Sequence, residues 1–380
     1  MRRLLSVLVP LFLLGCSQNN SKSLLLSDDI IRDVNFENIA CDVQVLSVKS
    51  PYLMEGIETY QSIGDLLFCI SENHRVIYWI KGDSVIAKLD KYGRGHGEYL
   101  WIESYAYAPD DSILFIRTTD NRLIRYQGLN CNYIGECSDF PSASRPYAID
   151  SRTLLAEGSV PGDDNILHQG LYLIDAETGE IGRNVCPMDY AQHSFYTGNK
   201  FQTADSIMFI IPGPGDDDNV VYLLKNEQLS PLLTFRYEDK WRIPENVLIR
   251  ELRTDYASDV NRVHQMIALG QYRMKEPFCN GGTYLLYSDG RLMFWSLSDS
   301  FVLNIIKGND VSRYHVTLPG FDKYLNPNAV VADYYVTAFN SIFKSQIENE
   351  EQLTPLGQQI RKAIDSSDGN PVFLMYHIKK

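Results

Sequence analysis

Short apolar runs recur along the chain, and each is entered through a turn made of Asp, Ser or Gly. Ile63-Gly64-Asp65 leads into Leu66-Leu67-Phe68-Cys69-Ile70, and Asp110-Asp111-Ser112 leads into Ile113-Leu114-Phe115-Ile116. The pairing returns at Asp150-Ser151 before Leu154-Leu155-Ala156, and at Asp205-Ser206 before Ile207-Met208-Phe209-Ile210-Ile211. It returns again at Gly281-Gly282 before Tyr284-Leu285-Leu286-Tyr287, and at Asp333 before Tyr334-Tyr335-Val336. Runs of this length, rich in β-branched and aromatic side chains, predict strands. Their almost unbroken apolarity predicts strands covered on both faces.

A second strand follows each of the first five units, at 75–80, 122–126, 170–174, 220–224 and 291–295, and third strands are readable at 85–89, 232–235 and 301–305. The turn positions 65, 111, 150, 205, 282 and 333 lie 46, 39, 55, 77 and 51 residues apart. Self-similarity at roughly 40–50 residues with several strands per unit predicts a β-propeller, and six units predict six blades. The strand at 370–378 has no successor, and the strand at 43–48 precedes the first unit without a blade of its own. Pairing the two removes two edges that would otherwise invite aggregation. The expected fold is therefore all-β: a six-bladed β-propeller over residues 42–380, closed by its N-terminal strand. Two stretches break the pattern and read as helical insertions, near 245–275 and 338–365, with Pro355 dividing the second into two helices.

The N-terminus follows another pattern. Arg2 and Arg3 precede an apolar run from Leu4 to Leu14 that closes with Leu13-Leu14-Gly15-Cys16. A basic start, a short apolar core and a small residue at the cut describe a secretory signal peptide over residues 1–15. The run is too short to cross a bilayer, which takes roughly 20 apolar residues. Its end resembles the bacterial lipobox, in which the cysteine becomes the first residue and its thiol receives diacylglycerol. Cys16 is thus the expected lipidation site, residues 16–41 the expected tether, and the lipid membrane the expected partner. The stretch 17–22 has no acidic residue of the surface-export kind, which points to a periplasm-facing outer-membrane lipoprotein.

Loss of Arg2 and Arg3 takes the formal charge from -13 to -15. That balance argues against nucleic acid, which rewards clustered Lys and Arg. It also provides no basic patch for anionic headgroups, leaving attachment to the acyl chains. Of the 7 cysteines, those after Cys16 form no C-x2-C pair, so structural zinc is not expected. Cys131 and Cys137 are close enough to bridge a hairpin in an exported chain. Burial as small apolar side chains is the plainer reading of these thiols.

Between the first two units stands Lys91-Tyr92-Gly93-Arg94-Gly95-His96-Gly97-Glu98-Tyr99. It resembles the G-R-G-P-G-E-Y signature of bacterial six-bladed β-propeller lipoproteins, a group related to NHL-repeat and TolB-like propellers. The ending Asn370-Pro371-Val372-Phe373-Leu374 is similar to that family's last strand, while His96 stands where the family has proline. The resemblance implies architecture and anchoring in the cell envelope, and implies no reaction. Three alternate glycines could cradle a phosphate, but the spacing is neither G-x-G-x-x-G nor a P-loop and no helix follows. An inter-blade connection whose glycines supply positive φ is the favoured reading.

Two acidic loops, Pro161-Gly162-Asp163-Asp164-Asn165 and Pro214-Gly215-Asp216-Asp217-Asp218-Asn219, lie 53 residues apart, about one unit. Carboxylates gathered on one rim would suit Ca2+, with Asp163, Asp164, Asp216, Asp217 and Asp218 as ligands. Solvated turns that want Pro, Gly, Asp and Asn for backbone reasons are the plainer account. The corresponding loops of the first two units bring Glu72, His74 and Asp120 to the same rim, and the glycine motif adds Arg94, His96 and Glu98. Such a rim suits a polar ligand: a glycan, a peptide or another envelope protein. No G-x-S-x-G, H-E-x-x-H or nucleophilic-cysteine motif is present. The leading expectation is therefore a non-catalytic binding or scaffold protein. The alternative is a metal-dependent hydrolase or lyase with a site in the central funnel.

Overall fold

Hairpins expected from the turns are present, each inside a sheet with one or two strands more than the sequence displays. The computed structural model describes residues 23–379 apart from 27–29, 55–56, 58, 72–73, 142, 162–166, 189–200, 203–206, 212–218, 226–227, 238–282, 288, 297–301, 322–324, 326, 340–346 and 348–349. First come β1 (Ser23–Leu26), β2 (Ile31–Asn35), the single helical turn α1 (Phe36–Ile39) and β3 (Ala40–Ser47). Sheet I holds β4 (Thr59–Ile63), β5 (Leu66–Ile70), β6 (Ile77–Lys81) and β7 (Ser84–Leu89). Sheet II holds β8 (Ile102–Ala108), β9 (Ile113–Thr118), β10 (Leu123–Gln127) and β11 (Asn132–Cys137). Sheet III holds β12 (Ala143–Ala148), β13 (Thr153–Pro161), β14 (Leu167–Asp175) and β15 (Ile181–Met188). Sheet IV holds β16 (Phe201–Gln202), β17 (Ile207–Ile211), β18 (Asn219–Lys225) and β19 (Gln228–Tyr237). Sheet V holds β20 (Thr283–Leu286), β21 (Leu292–Ser296), β22 (Val302–Lys307) and β23 (Asp310–Thr317). The chain closes with β24 (Ala329–Val331), β25 (Tyr334–Phe339), α2 (Pro355–Asp365) and β26 (Val372–Ile378).

Among the described residues, five sheets are thus built on four consecutive antiparallel strands, not the six such units the turns suggested. The remaining sheet is composite: β3 pairs antiparallel with β26 as its outer strand, with Ser47 opposite Val372 and Ala40 opposite Ile378. The first strands line the centre: β8 neighbours β12, and β24 neighbours both β4 and β20. Buried apolar clusters join each sheet to the next. Phe68 and Trp79 of sheet I meet Tyr107 and Ile116 of sheet II, and Phe115 of sheet II meets Leu154 of sheet III. Leu171 meets Leu224 across III and IV, Val221 meets Phe294 across IV and V, and Trp295 meets Tyr335 across V and the composite sheet. Phe373 then meets Leu67 and Ile80 back in sheet I, which closes the cycle. This is an all-β propeller. Neighbouring sheets cover both faces of the central strands, so all six residues of β9 are buried, whereas the outer strand β11 alternates.

Three expectations need correction. The tether expected over 16–41 is paired from Ser23 onward: β1 lies parallel to β19, and β2 parallel to β23, before β3 joins β26. The N-terminal segment therefore laces across the outer edges of three successive sheets, covering edges that would otherwise stay open. In the fifth unit the strand after Gly281-Gly282 is the innermost one, β20, and the hairpin turn falls instead at Asp289-Gly290. Ala338 and Phe339, assigned to a helical insertion, end strand β25. Pro355 does not divide a helix there but opens α2 at its first turn, where its missing N–H costs nothing. Thr354 caps that helix through the Gly357 N–H at 3.2 Å, and Ile360 and Ile364 anchor it against the composite sheet, beside β3 and β26. The expected insertion at 245–275 lies outside the described residues. Cys131 and Cys137 are both free, because they belong to different apolar clusters on opposite faces of sheet II.

Candidate functional site

Antiparallel alternation puts three links at one end of the ring: 71–76 between β5 and β6, 119–122 between β9 and β10, and 90–101 between β7 and β8. The last contains the glycine motif. Its conformation is held from inside by Glu98, whose Oε2 accepts the Gly95 N–H at 2.7 Å. A Cβ on Gly93 or Gly95 would come within 2.0 or 2.9 Å of that oxygen, so these two glycines make room for a carboxylate. Only Gly97 uses a left-handed backbone, at φ +68°. Two buried tyrosines pin the loop to its neighbours. The Tyr99 hydroxyl donates to the Arg75 carbonyl at 2.8 Å, and the Tyr126 hydroxyl donates to the Gly97 carbonyl at 2.7 Å. Burial pushes both hydroxyls well above the ordinary tyrosine value. The motif is thus an inter-sheet connection, as its plainer reading held.

The Arg122 guanidinium draws in the next loop, donating to Asp120 Oδ2 at 2.9 Å, to Glu136 Oε2 at 3.2 Å and to the Glu98 carbonyl at 3.1 Å. Asp120 also accepts from the Thr118 hydroxyl. Burial pushes its carboxyl up, but Thr118 and Arg122 together outweigh this and hold it below the ordinary value. Glu98 and Asp120 therefore organise the rim and have little left to offer a ligand.

The outward-facing groups are different ones. His74, at φ +49°, stacks on Trp101 with centroids 4.8 Å apart, and its Nδ1 lies 3.2 Å from the Ile102 carbonyl oxygen. The Arg75 guanidinium sits 4.3 Å from the centroid of Tyr92. His96 sets its ring edge-on against Tyr133 at 4.4 Å. Trp101 is 39% exposed and Tyr92 49%, with Leu100 beside them, whereas Trp79 and Trp295 are buried in the core. Charge is just as uneven. Asp90 pairs with Lys88 at 2.8 Å, Glu103 with Arg117 at 2.7 Å, and Asp120 with Arg122. Arg75, Lys91 and Arg94 have no ion pair with any described residue.

The structure accordingly gathers His74, Arg94, His96, Glu98 and Asp120 into mutually bound loops. Glu72, Asp163, Asp164, Asp216, Asp217, Asp218 and Cys16 lie outside the described residues, so the acidic loops and the lipidation site have no geometry here. Among the described residues no cluster of three or more His, Cys, Asp or Glu is placed to hold a metal ion. Arg75, Tyr92 and Trp101 were not singled out from the sequence. The available signal was a tryptophan directly before an inner strand, where the chain rises to the rim.

Fold and rim together define a β-propeller with exposed aromatic rings and, among the described residues, unpaired basic side chains at one end. No family model matches the chain, and no curated protein does. Solved structures do resemble it. A Bacteroides fragilis protein named "putative exported protein" superposes with a TM-score of 0.64 at 14% identity, covering 94% of this chain and 99% of that one. BamB from Moraxella catarrhalis gives 0.35 at 12% identity over 78% and 71%, and U3-55K gives 0.44 at 9% over 88% and 98%. The first likeness supports the propeller fold alone; the other two are too loose to bear on it.

Proposed function

We propose that this chain is an exported, lipid-anchored six-bladed β-propeller of the NHL- and TolB-related lipoprotein kind that binds a partner in the bacterial envelope. The composite sheet counts as the sixth blade in this reading. The observation that carries it is the exposed rim of sheets I and II, where Trp101 and Tyr92 stand among three cations without counter-charges. A large aromatic left at the surface and stiffened by a stacked neighbour is the mark of a contact surface rather than of a core. The lipobox-like Leu13-Leu14-Gly15-Cys16 and the exported namesake of the B. fragilis neighbour support export. With β1 on sheet IV, the tether shortens to the stretch between Cys16 and Ser23, a reach of about 25 Å at full extension. In the order of the sheets, I and II lie across the ring from IV and V, so this part of the rim and the start of β1 are on opposite sides of the ring.

A photo-crosslinking residue at Leu100 tests the binding role, with one at Leu129, in the turn at the opposite end of sheet II, as the comparison. Adducts with a glycan or an envelope protein in intact cells are expected from Leu100 and not from Leu129. No adduct at Leu100, or equal adducts at both, would remove the rim as a binding surface. Anchoring is tested separately: acyl labelling and globomycin-sensitive processing are expected, both lost in Cys16→Ser. Release of the wild-type chain as a soluble periplasmic species would end that part of the proposal.

A further inference from the structure

The rim's chemistry narrows the partner, and we infer that it binds an anionic polysaccharide, whose sugar rings lie on Trp101 and Tyr92 while Arg75 and Arg94 hold its carboxylate or sulfate groups. The inference rests on the binding reading above and gives it a ligand class. Three observations converge. Trp101 and Tyr92 are each fixed by a partner, His74 in one case and Arg75 in the other, so docking freezes few side-chain rotamers. Flat rings with a remaining exposed surface suit the C–H faces of pyranose rings. Among the described carboxylates of these loops, Asp90, Glu103 and Asp120 are paired with cations and Glu98 is turned onto the Gly95 N–H, so Arg75, Lys91 and Arg94 are the basic side chains left without an ion pair on a chain of net charge -13.

Other occupants match less well. A neutral glycan would use the rings and leave three cations uncompensated. An acidic peptide would meet the cations and leave the rings without a stacking partner. Nucleic acid would bring a continuous line of phosphates to a strongly acidic molecule, and three cations release too few counterions to offset that. A guanidinium offers two parallel N–H donors to one carboxylate or sulfate, which an ammonium cannot, so Arg75 and Arg94 are the specific contacts and Lys91 adds field.

The test is affinity electrophoresis of the full chain in detergent, through gels containing polygalacturonate, dextran sulfate, dextran or polyglutamate. Retardation by polygalacturonate, by dextran sulfate or by both is expected, and which of them acts tells carboxylate from sulfate. Dextran and polyglutamate should leave mobility unchanged. Trp101→Ala and Arg75→Ala should each weaken retardation at least tenfold, and Arg94→Ala, at an exposed side chain with no ion pair to a described residue, should weaken it with little effect on folding. Leu129→Ala should change nothing. The inference falls if neither anionic sugar polymer retards the protein, if dextran or polyglutamate does so equally, or if the rim variants bind like wild type. Failure here together with adducts at Leu100 would discard the anionic sugar and keep the binding role; failure of both would discard both.

Discussion

Gly97 and Gly64 share a backbone conformation, with φ of +68° and +61°, but not an environment. Replacing either by alanine forces a Cβ into the left-handed region, at a cost of about 1–2 kcal/mol. At Gly64 the new methyl meets nothing within 4 Å, so backbone strain is the whole effect. At Gly97 it would stand 2.5 Å from Tyr133 Cδ2 and 2.8 Å from Cγ. That ring is hemmed in, with His96 edge-on at 4.4 Å and Tyr126 at 6.4 Å, and it cannot swing aside as a free side-chain end would. Overpacking of this kind adds about 1–3 kcal/mol. Gly97→Ala should therefore destabilise by about 2–5 kcal/mol against about 1–2 for Gly64→Ala. Urea unfolding followed by tryptophan fluorescence measures both, with unchanged m-values as the check that only stability moved. A cycle with Tyr133→Ala isolates the clash: in that background Gly97→Ala should cost no more than Gly64→Ala does. Equal losses for the two glycines, or strict additivity of Gly97→Ala with Tyr133→Ala, would show that the loop relaxes and that the motif is not packed as argued.

Other expectations follow from the same geometry. Tyr126→Phe removes the donor to the Gly97 carbonyl and should cost about 1 kcal/mol in the same urea assay; no measurable loss would mean that water takes its place. Phe36, fully buried with its ring 4.7 Å from Tyr376, ties the N-terminal segment to the composite sheet. Phe36→Ala should cost about 3–5 kcal/mol and speed amide exchange in β3 and β26 ahead of sheets II and III; uniform acceleration would contradict that placement. Asp175 has its carboxyl pulled from 3.8 to about 2, chiefly by the Thr178 backbone N–H, against a burial effect and helped by the Arg152 guanidinium and the Glu177 backbone N–H. A depressed folded-state value stabilises above the ordinary carboxylate range and is lost as pH falls toward about 2. The urea midpoint of Asp175→Ala should then trail wild type at pH 7 and converge with it near pH 2; a gap that persists in acid would assign the effect to packing.

The central strands were legible because two neighbouring sheets bury them on both faces, and the sequence of β9 is apolar enough to record it. Inner strands were harder to see. β8 carries Glu103 toward solvent and a half-buried Ser104 near its start, since one side of it faces the ring's centre, and the resulting mixture reads as a loop. Closure by β3 could be inferred because two strong strands lacked partners. The parallel additions of β1 and β2 could not, because a parallel pair has no local turn to announce it and its register depends on sheets assembled about 210 and about 280 residues later in the chain.

The rim shows the same limit in its electrostatics. The loops could be placed by counting strands, which is why His74, Arg94 and His96 could be assigned to one rim. Their chemistry could not be read that way, because it depends on which charges are already spent. Arg122 is consumed by Asp120 and Glu136, and Arg117 by Glu103, while Arg75 and Arg94 remain. All four look alike in a sequence whose net charge is -13. Net charge is a sum over the whole surface, and at a screening length of about 8 Å in physiological salt a ligand feels only the few groups around it. An acidic protein can therefore carry an anion-binding rim, provided its local carboxylates are paired within the fold and its local guanidinium groups are not.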